Sequence, residues 1–531
     1  MATTTRSERH WQRSVSMLGA CLATTTAGTV YLFSTYGPAL SRQLHLSSTQ
    51  SNLVAISANY GLLLSGPLFG WLADTLGPRI LCAFAAVGSF SAFSALAYTY
   101  SGDLAFPGWV GLAGYMVLVG VSCQAVNMSA ITVTTRNFKE NRGAAVSLCV
   151  AFFGLSPFVL SHVNSWFFAG SNGGPPDVFG FLKFLAMLGL VTSLLAAVSL
   201  SVVGFGPSRY RRDIPHGFIA DGSADSILEE SMDEESGLVG QAQPGYSAGA
   251  NSATDAGANS ATDSAPAIAA NAGGGPGAVD YDTARDLGGK SYIGDHEAQL
   301  LALVLFFCAG VGVFYNNNVG TIVTTLYHSS VAHPDASTAQ RLINRHVGAI
   351  SMGSFIGRLS IGIITDLCKR IWHVPRSGIL VGVVSSTVIS QLVILNARNL
   401  EVLLVGSVLT GVSYGFIFGF VPLLVSVWFG TRHFGSNWGM TSLFIGFSGQ
   451  GLGAFFGFVY DRNLPDQDLS KCPGGVCYRS AFLLSTLVAA CGWVAAVVLA
   501  GRRARRRREN RRVWEAEEYD RARYVPFRLA E

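Results

Sequence analysis

Twelve apolar stretches, each long enough at roughly 20 residues to cross a hydrocarbon core of about 30 Å, alternate with short polar segments along the chain. They run near 14–37, 53–75, 78–100, 109–134, 143–167 and 178–204, and again near 298–326, 345–367, 376–396, 401–428, 436–460 and 479–501. This pattern predicts an all-α membrane protein of twelve transmembrane helices. The first stretch outlasts the apolar core of a signal peptide and carries a motif repeated later in the chain, so it is expected to stay in the mature protein.

The two sets of six are copies. Gly70-Trp71-Leu72-Ala73-Asp74, closing span 2, returns as Gly362-Ile363-Ile364-Thr365-Asp366, closing span 8, at an offset of 362 − 70 = 292 residues. The same offset joins Gly28-Thr29-Val30 to Gly320-Thr321-Ile322, Gly61 to Gly353, Gly143 to Gly435, Gly154 to Gly446 and Ser156 to Ser448. A register of 291 joins Gly120-Val121-Ser122 to Gly411-Val412-Ser413 and Phe138 to Phe429. Two similar halves rocking about a site between them is how many transporters are built, so the duplication bears on function as well as fold.

With 50% hydrophobic and 13% charged residues, against about 25% charged in a soluble domain, composition agrees with a membrane protein. Lys and Arg in short loops favour the cytoplasmic side. A cytoplasmic N-terminus gathers Arg6, Arg9, Arg13, Arg79, Arg136, Arg142, Arg432 and the tail from Arg502 on that side. Both termini and the central loop are therefore expected in the cytoplasm, and the net charge of +4 reflects topology rather than nucleic-acid binding. The domains follow: a cytoplasmic N-terminus (1–13), a six-helix half (14–204), a cytoplasmic low-complexity linker (205–297), a second half (298–501) and an Arg-rich cytoplasmic tail (502–531).

In the linker, Ala248-Gly249-Ala250-Asn251-Ser252-Ala253-Thr254-Asp255 repeats at once as 256–263, in a composition that cannot form a core. A tether between halves is the plain reading, and regulation through its serines the alternative. The tail Arg502-Arg503-Ala504-Arg505-Arg506-Arg507-Arg508 anchors the last span and suits anionic lipids. Most cysteines lie within spans as small apolar groups. Cys472 and Cys477 instead bracket Pro473-Gly474-Gly475 in a non-cytoplasmic loop, where an oxidising exterior would permit a disulfide, two free thiols being the alternative.

Twelve spans in two halves, a long loop between them, and Gly70-Trp71-Leu72-Ala73-Asp74-Thr75-Leu76-Gly77-Pro78-Arg79 after span 2 resemble the major facilitator superfamily. Within it, Gly28 to Leu40, Arg136-Asn137-Phe138 and Gly357-Arg358-Leu359-Ser360 are similar to the nodulin-like and monocarboxylate-transporter-like branch, and to the fungal MCH group in particular. The resemblance implies that spans 1, 4, 7 and 10 line a cavity and that Gly70, Asp74, Arg79, Arg136, Gly362 and Asp366 form a conformational gate. It also implies a vacuolar membrane. The chain departs from the animal monocarboxylate carriers in having no Lys in span 1 and Ser354 in place of an Asp, which argues against a classical monocarboxylate as cargo.

Register 292 sets Thr24-Thr25-Thr26 opposite Asn316-Asn317-Asn318, two polar patches that either face one substrate or bond neighbouring helices. Three consecutive residues spread around a helix, so one or two of each triplet can face a cavity. Gln124, Asn127 and Tyr414, where the repeat breaks, are further candidates. Arg358 lies inside span 8, where an unpaired charge is costly and usually functional. It would bind an anion or pair with a mobile carboxylate, a snorkelling structural Arg being the alternative. No Asp or Glu falls mid-span, and His162 is read as the only embedded group titrating near neutrality, a candidate for proton coupling.

These residues point to a secondary transporter for a small polar or anionic solute working by alternating access, with a non-transporting nutrient sensor or a drug exporter of the same fold as alternatives. No catalytic constellation, metal site or cofactor motif is present, so an enzyme is not expected. The expected partners are a small-molecule solute and the lipid bilayer, with no nucleic acid, and the chain is expected to act as a monomer.

Overall fold

The computed structural model describes residues 6–46, 48–138, 141–168, 177–201, 285–331, 336–463 and 476–524. The Cys472–Cys477 pairing and most of the 205–297 linker fall outside them. Among the described residues, ten helices are long and apolar enough to cross a membrane, and two bent pairs bring the number to twelve. Span 1 is Arg6–Ala27 joined through a tight turn at Gly28–Tyr31 to Phe33–Gln43, and span 2 is Ser48–Leu64 with Gly66–Thr75, bent by 40°. Spans 3 to 6 are Pro78–Ser101, Gly108–Asn137, Arg142–Phe167 and Val178–Ser199. Spans 7 to 12 are His296–Ser330, Ala336–Ile371, Arg376–Leu395, Leu400–Trp428, Phe434–Arg462 and Val476–Tyr524.

Local chemistry accounts for the breaks. Pro67 has no N–H to donate into the preceding turn of span 2, so the ladder is interrupted there, and Ser65 Oγ turns back to the Gly61 carbonyl at 2.6 Å. Span 3 begins at Pro78, whose fixed φ suits a first helical position, after Gly77 at a φ of 87° that a side chain would resist.

Spans 3 and 6 pack together on the outside of the first half, as do 9 and 12 in the second. Their outward residues, such as Val87, Val198, Ile389 and Leu487, are large, apolar and exposed, which is the arrangement expected of lipid-facing surface. The halves meet along spans 2 and 11 and along spans 5 and 8. Alternation of the spans puts the ends of 2, 4, 8, 10 and 12 and the starts of 1, 5, 7 and 11 on one side, called here the terminal face.

Residues 285–297, assigned from sequence to the linker, instead form a packed strap on the terminal face. Arg285 N–H and Leu287 N–H donate to the Trp428 and Phe429 carbonyls, and Asn437 Nδ2 donates to Leu287 O at 2.7 Å. Asp295 caps span 7 by accepting the Glu297 and Ala298 amides at 3.0 and 3.1 Å. Glu297 then holds Arg285 at 2.7 Å and the buried Arg503 at 2.8 Å, while Arg503 stacks on Trp428 at 4.2 Å. Removing Glu297 would strand a buried cation, which is why this cluster ties the strap, span 7 and span 12 together.

Candidate functional site

The repeated Gly-x-x-x-Asp motifs meet each other's half across the terminal face. Asp74 accepts the backbone amides of Gly435 at 3.1 Å and Ser436 at 2.7 Å, and the Ser436 hydroxyl at 3.1 Å, at the N-terminus of span 11. Asp366 accepts the Ala144 amide at 3.1 Å at the N-terminus of span 5. A carboxylate at a helix N-terminus satisfies orphan donors and the positive end of the dipole, so each aspartate caps a helix of the opposite half. Offset 292 relates Asp74 to Asp366 and Ser436 to Ala144, making the two caps equivalent by the repeat.

Glycine allows this approach. A β-carbon on Gly70 would run into the Gly435 carbonyl, and one on Gly362 would stand 2.7 Å from the Gly143 carbonyl oxygen. Arg136 completes the first cap: its guanidinium pairs with Asp74 at 2.9 Å and donates to the carbonyls of Arg432 at 2.9 Å and Thr431 at 3.3 Å. Of the two arginines considered from sequence, Arg136 therefore reaches Asp74, whereas Arg79 is exposed. Further bonds between the halves run from Arg142 to Ser426 O at 3.3 Å and from Ser147 to Gly419 O at 3.2 Å.

Beyond these contacts, a small cavity of about 40 Å³ lies between the halves, lined from both of them. Four lining pairs obey the repeat. Asn127 and Phe418, and Ile131 and Pro422, stand 291 apart on spans 4 and 10, while Val150 and Ser442, and Phe153 and Ile445, stand 292 apart on spans 5 and 11. Arg358 breaks the symmetry, its counterpart being Gly66.

Only 2% of Arg358 is exposed, and its Nη1 donates to the Val150 carbonyl at 3.0 Å. The guanidinium lies 5.4 Å from the Phe153 ring, 5.5 Å from Phe418 and 5.9 Å from Tyr414, three cation–π contacts on one charge. Its Nε has no partner, and among the described residues no carboxylate stands within ion-pair distance. The Arg is therefore held in the cavity wall rather than snorkelling out. Tyr31 and Tyr414 line the cavity beside it from opposite halves, and Asn127 Oδ1 is buried without a partner.

The structure thus brings Gln124, Asn127, Arg358 and Tyr414 together and leaves the triplets out of the lining. Thr24 is buried against span 5, its hydroxyl 2.7 Å from the Cys149 carbonyl, and Thr26 bonds Thr192 of span 6. Thr25 turns to the Cys21 carbonyl of its own helix, as Asn318 does to Phe314 O at 2.8 Å; Asn316 is half-buried and Asn317 exposed. His162 is exposed, bonded to Phe158 O, and lies outside the lining.

The reading of His162 as the sole embedded histidine is corrected by His346. It is 1% exposed in span 8, with Nδ1 2.8 Å from Ser407 Oγ, which is itself 2.7 Å from the Tyr315 hydroxyl. Sequence reasoning also passed over Tyr31, Asn59, Trp438 and Ser442. The repeat offered a signal for Ser442, as the counterpart of Val150.

The Nodulin-like family model matches residues 11–218, and that of the NFD4 C-terminal domain matches residues 282–508. A protein of Emericella nidulans named "Probable transporter mch1" is 26% identical over 560 residues, covering 92% of this chain and 86% of its own. A Neurospora crassa protein of the same name is 25% identical, covering 91% and 88%. The proton:xylose symporter XylE, solved with 6-bromo-6-deoxy-D-glucose, superposes with a TM-score of 0.59 at 13% identity over 91% of this chain and 96% of its own. The chain has the major facilitator fold and resembles the fungal MCH transporters. The Escherichia coli fucose:proton symporter FucP shares that fold, with a TM-score of 0.52 at 10% identity over 90% and 98% of the two chains. Names and fold together support a secondary transporter embedded in a membrane.

Alanine at Gly70 tests the contact between the halves. Overpacking the Gly70–Gly435 contact should disfavour the sealed arrangement by about 1–3 kcal/mol, roughly a 5- to 160-fold shift. A cysteine placed at Val150 should then react faster with a thiol reagent supplied from the terminal face. Unchanged labelling would count against the seal.

Proposed function

We propose that this chain carries a small organic anion across the membrane by alternating access, with Arg358 recognising the anion and the two aspartate caps closing the terminal face. The observation that carries the reading is a buried guanidinium facing the space between the halves, ringed by aromatic faces and without a carboxylate partner among the described residues. A fork of that kind accepts a carboxylate or a similar planar oxyanion through two parallel bonds. Tyr31, Gln124, Asn127 and Tyr414 would serve the polar remainder of the solute. The unlike partners at related positions, Asn127 against Phe418 and Val150 against Ser442, suit a solute with unlike ends.

Ser354 lies one helical turn before Arg358, buried and with an unpartnered hydroxyl, at the position where the animal monocarboxylate carriers place an Asp. The cation therefore lacks that built-in counter-ion, which favours a cargo other than a classical monocarboxylate. A drug exporter would call for an unusually apolar, aromatic-lined cavity, and this lining carries a charge and three side-chain amides.

Arg358→Lys keeps the charge and loses the fork. Uptake of the organic anion into vesicles should fall roughly 10- to 100-fold in apparent affinity, the scale of a lost charge-assisted bond, with normal expression. Wild-type uptake in that variant would sink the recognition role. We propose the vacuolar membrane as the site of action, on the resemblance to the MCH group. Isolated vacuoles from cells lacking the chain should differ in organic-anion content, and a fluorescent fusion found at the plasma membrane would refute the placement.

A further inference from the structure

Span 12 does not end with its apolar residues. One unbroken helix runs from Val476 to Tyr524, so the tail arginines are fixed in rotation relative to the membrane-facing side chains before them. At about 100° per residue, Arg503, Arg506 and Arg507 share an arc of roughly 100°. That arc faces protein: Arg503 and Arg506 reach Glu297 at 2.8 and 3.6 Å, and Arg507 donates to Ser377 Oγ at 2.8 Å.

Arg502, Arg505, Arg508 and Arg512, spaced three, three and four apart, fall on a second arc of about 120° roughly opposite. All four are exposed, and among the described residues no hydrogen bond or ion pair engages them. The outward apolar residues of the same helix, Leu483, Leu487, Val494 and Val498, lie within this second arc too, with Leu487 57% and Val494 55% exposed. Glu509 sits near the edge of the row and leaves it net positive.

We propose that Arg502, Arg505, Arg508 and Arg512 form a docking row for anionic phospholipid headgroups in the leaflet on the terminal face. The occupant is lipid because the row continues the lipid-facing surface without a change of azimuth. Its guanidinium groups consequently stand in the headgroup layer directly beyond the apolar residues. Phosphate is the acceptor their fork geometry fits, and each such arginine near an anionic surface contributes on the order of 1 kcal/mol. The opposite row clamps the same helix to Glu297, so headgroups on one side and the strap on the other hold span 12 against span 7.

The test uses the full chain in mild detergent, with bound lipids counted by native mass spectrometry and the thermal midpoint read with added phosphatidylserine or phosphatidylcholine. Wild type and the fourfold Arg→Lys variant should retain phosphatidylserine and gain midpoint with it. The fourfold Arg→Gln variant should retain none, while its midpoint in phosphatidylcholine matches wild type and so confirms folding. Arg505→Gln alone should weaken retention roughly fivefold, about 1 kcal/mol. Equal phosphatidylserine retention in the fourfold Gln variant would overturn the proposal. So would inorganic phosphate or phosphatidylcholine raising the wild-type midpoint as far as phosphatidylserine.

Discussion

Two carboxylates placed on the helix ends of the opposite half organise this molecule. Asp74 and Asp366 lie at the close of spans 2 and 8, and each satisfies the first amides of a helix across the interface. The bond is short because the partners are glycine: at Gly70 against Gly435 and Gly362 against Gly143, any side chain would hold the backbones apart. A cap contributes about 1 kcal/mol, and the Arg136 pair adds to the first of the two.

From that seal the rest of the architecture follows. The strap at 285–297 braces the loop between spans 10 and 11, and the same loop presents the Thr431 and Arg432 carbonyls to Arg136. The chain segment entering the second half is thereby joined to the contact between the halves. Beyond those contacts, spans 4, 5, 10 and 11 give the cavity its repeat-related pairs, and spans 1, 2, 7 and 8 complete its wall. Arg358, standing where the first half has Gly66, gives that symmetrical space a single charged wall.

The repeat made much of this legible. Offset 292, read from the glycine motifs, also generates the cavity pairs at 150 and 442 and at 153 and 445, and Gly70, Asp74, Gly362 and Asp366 lie at the contact between the halves. The Thr and Asn triplets lie outside the cavity lining, the Thr24 and Thr26 hydroxyls being used up by neighbouring helices, a packing detail that polar composition does not carry. Helix ends were misjudged for another reason. Hydropathy marks where the bilayer stops, whereas backbone bonding continues through good helix formers, so span 8 begins at Ala336 and span 12 reaches Tyr524. His346, at the edge of its apolar window, was overlooked on the same ground.

Whether the caps hold the terminal face shut can be measured directly by double electron–electron resonance between spin labels at Leu76 and Leu367, exposed positions at the ends of spans 2 and 8. Wild type should give a narrow short-distance population. Combined Asp74→Ala and Asp366→Ala substitution should move a large share of molecules to longer distances, roughly a fivefold shift for each cap removed. An unchanged distance distribution in that double variant would contradict the account.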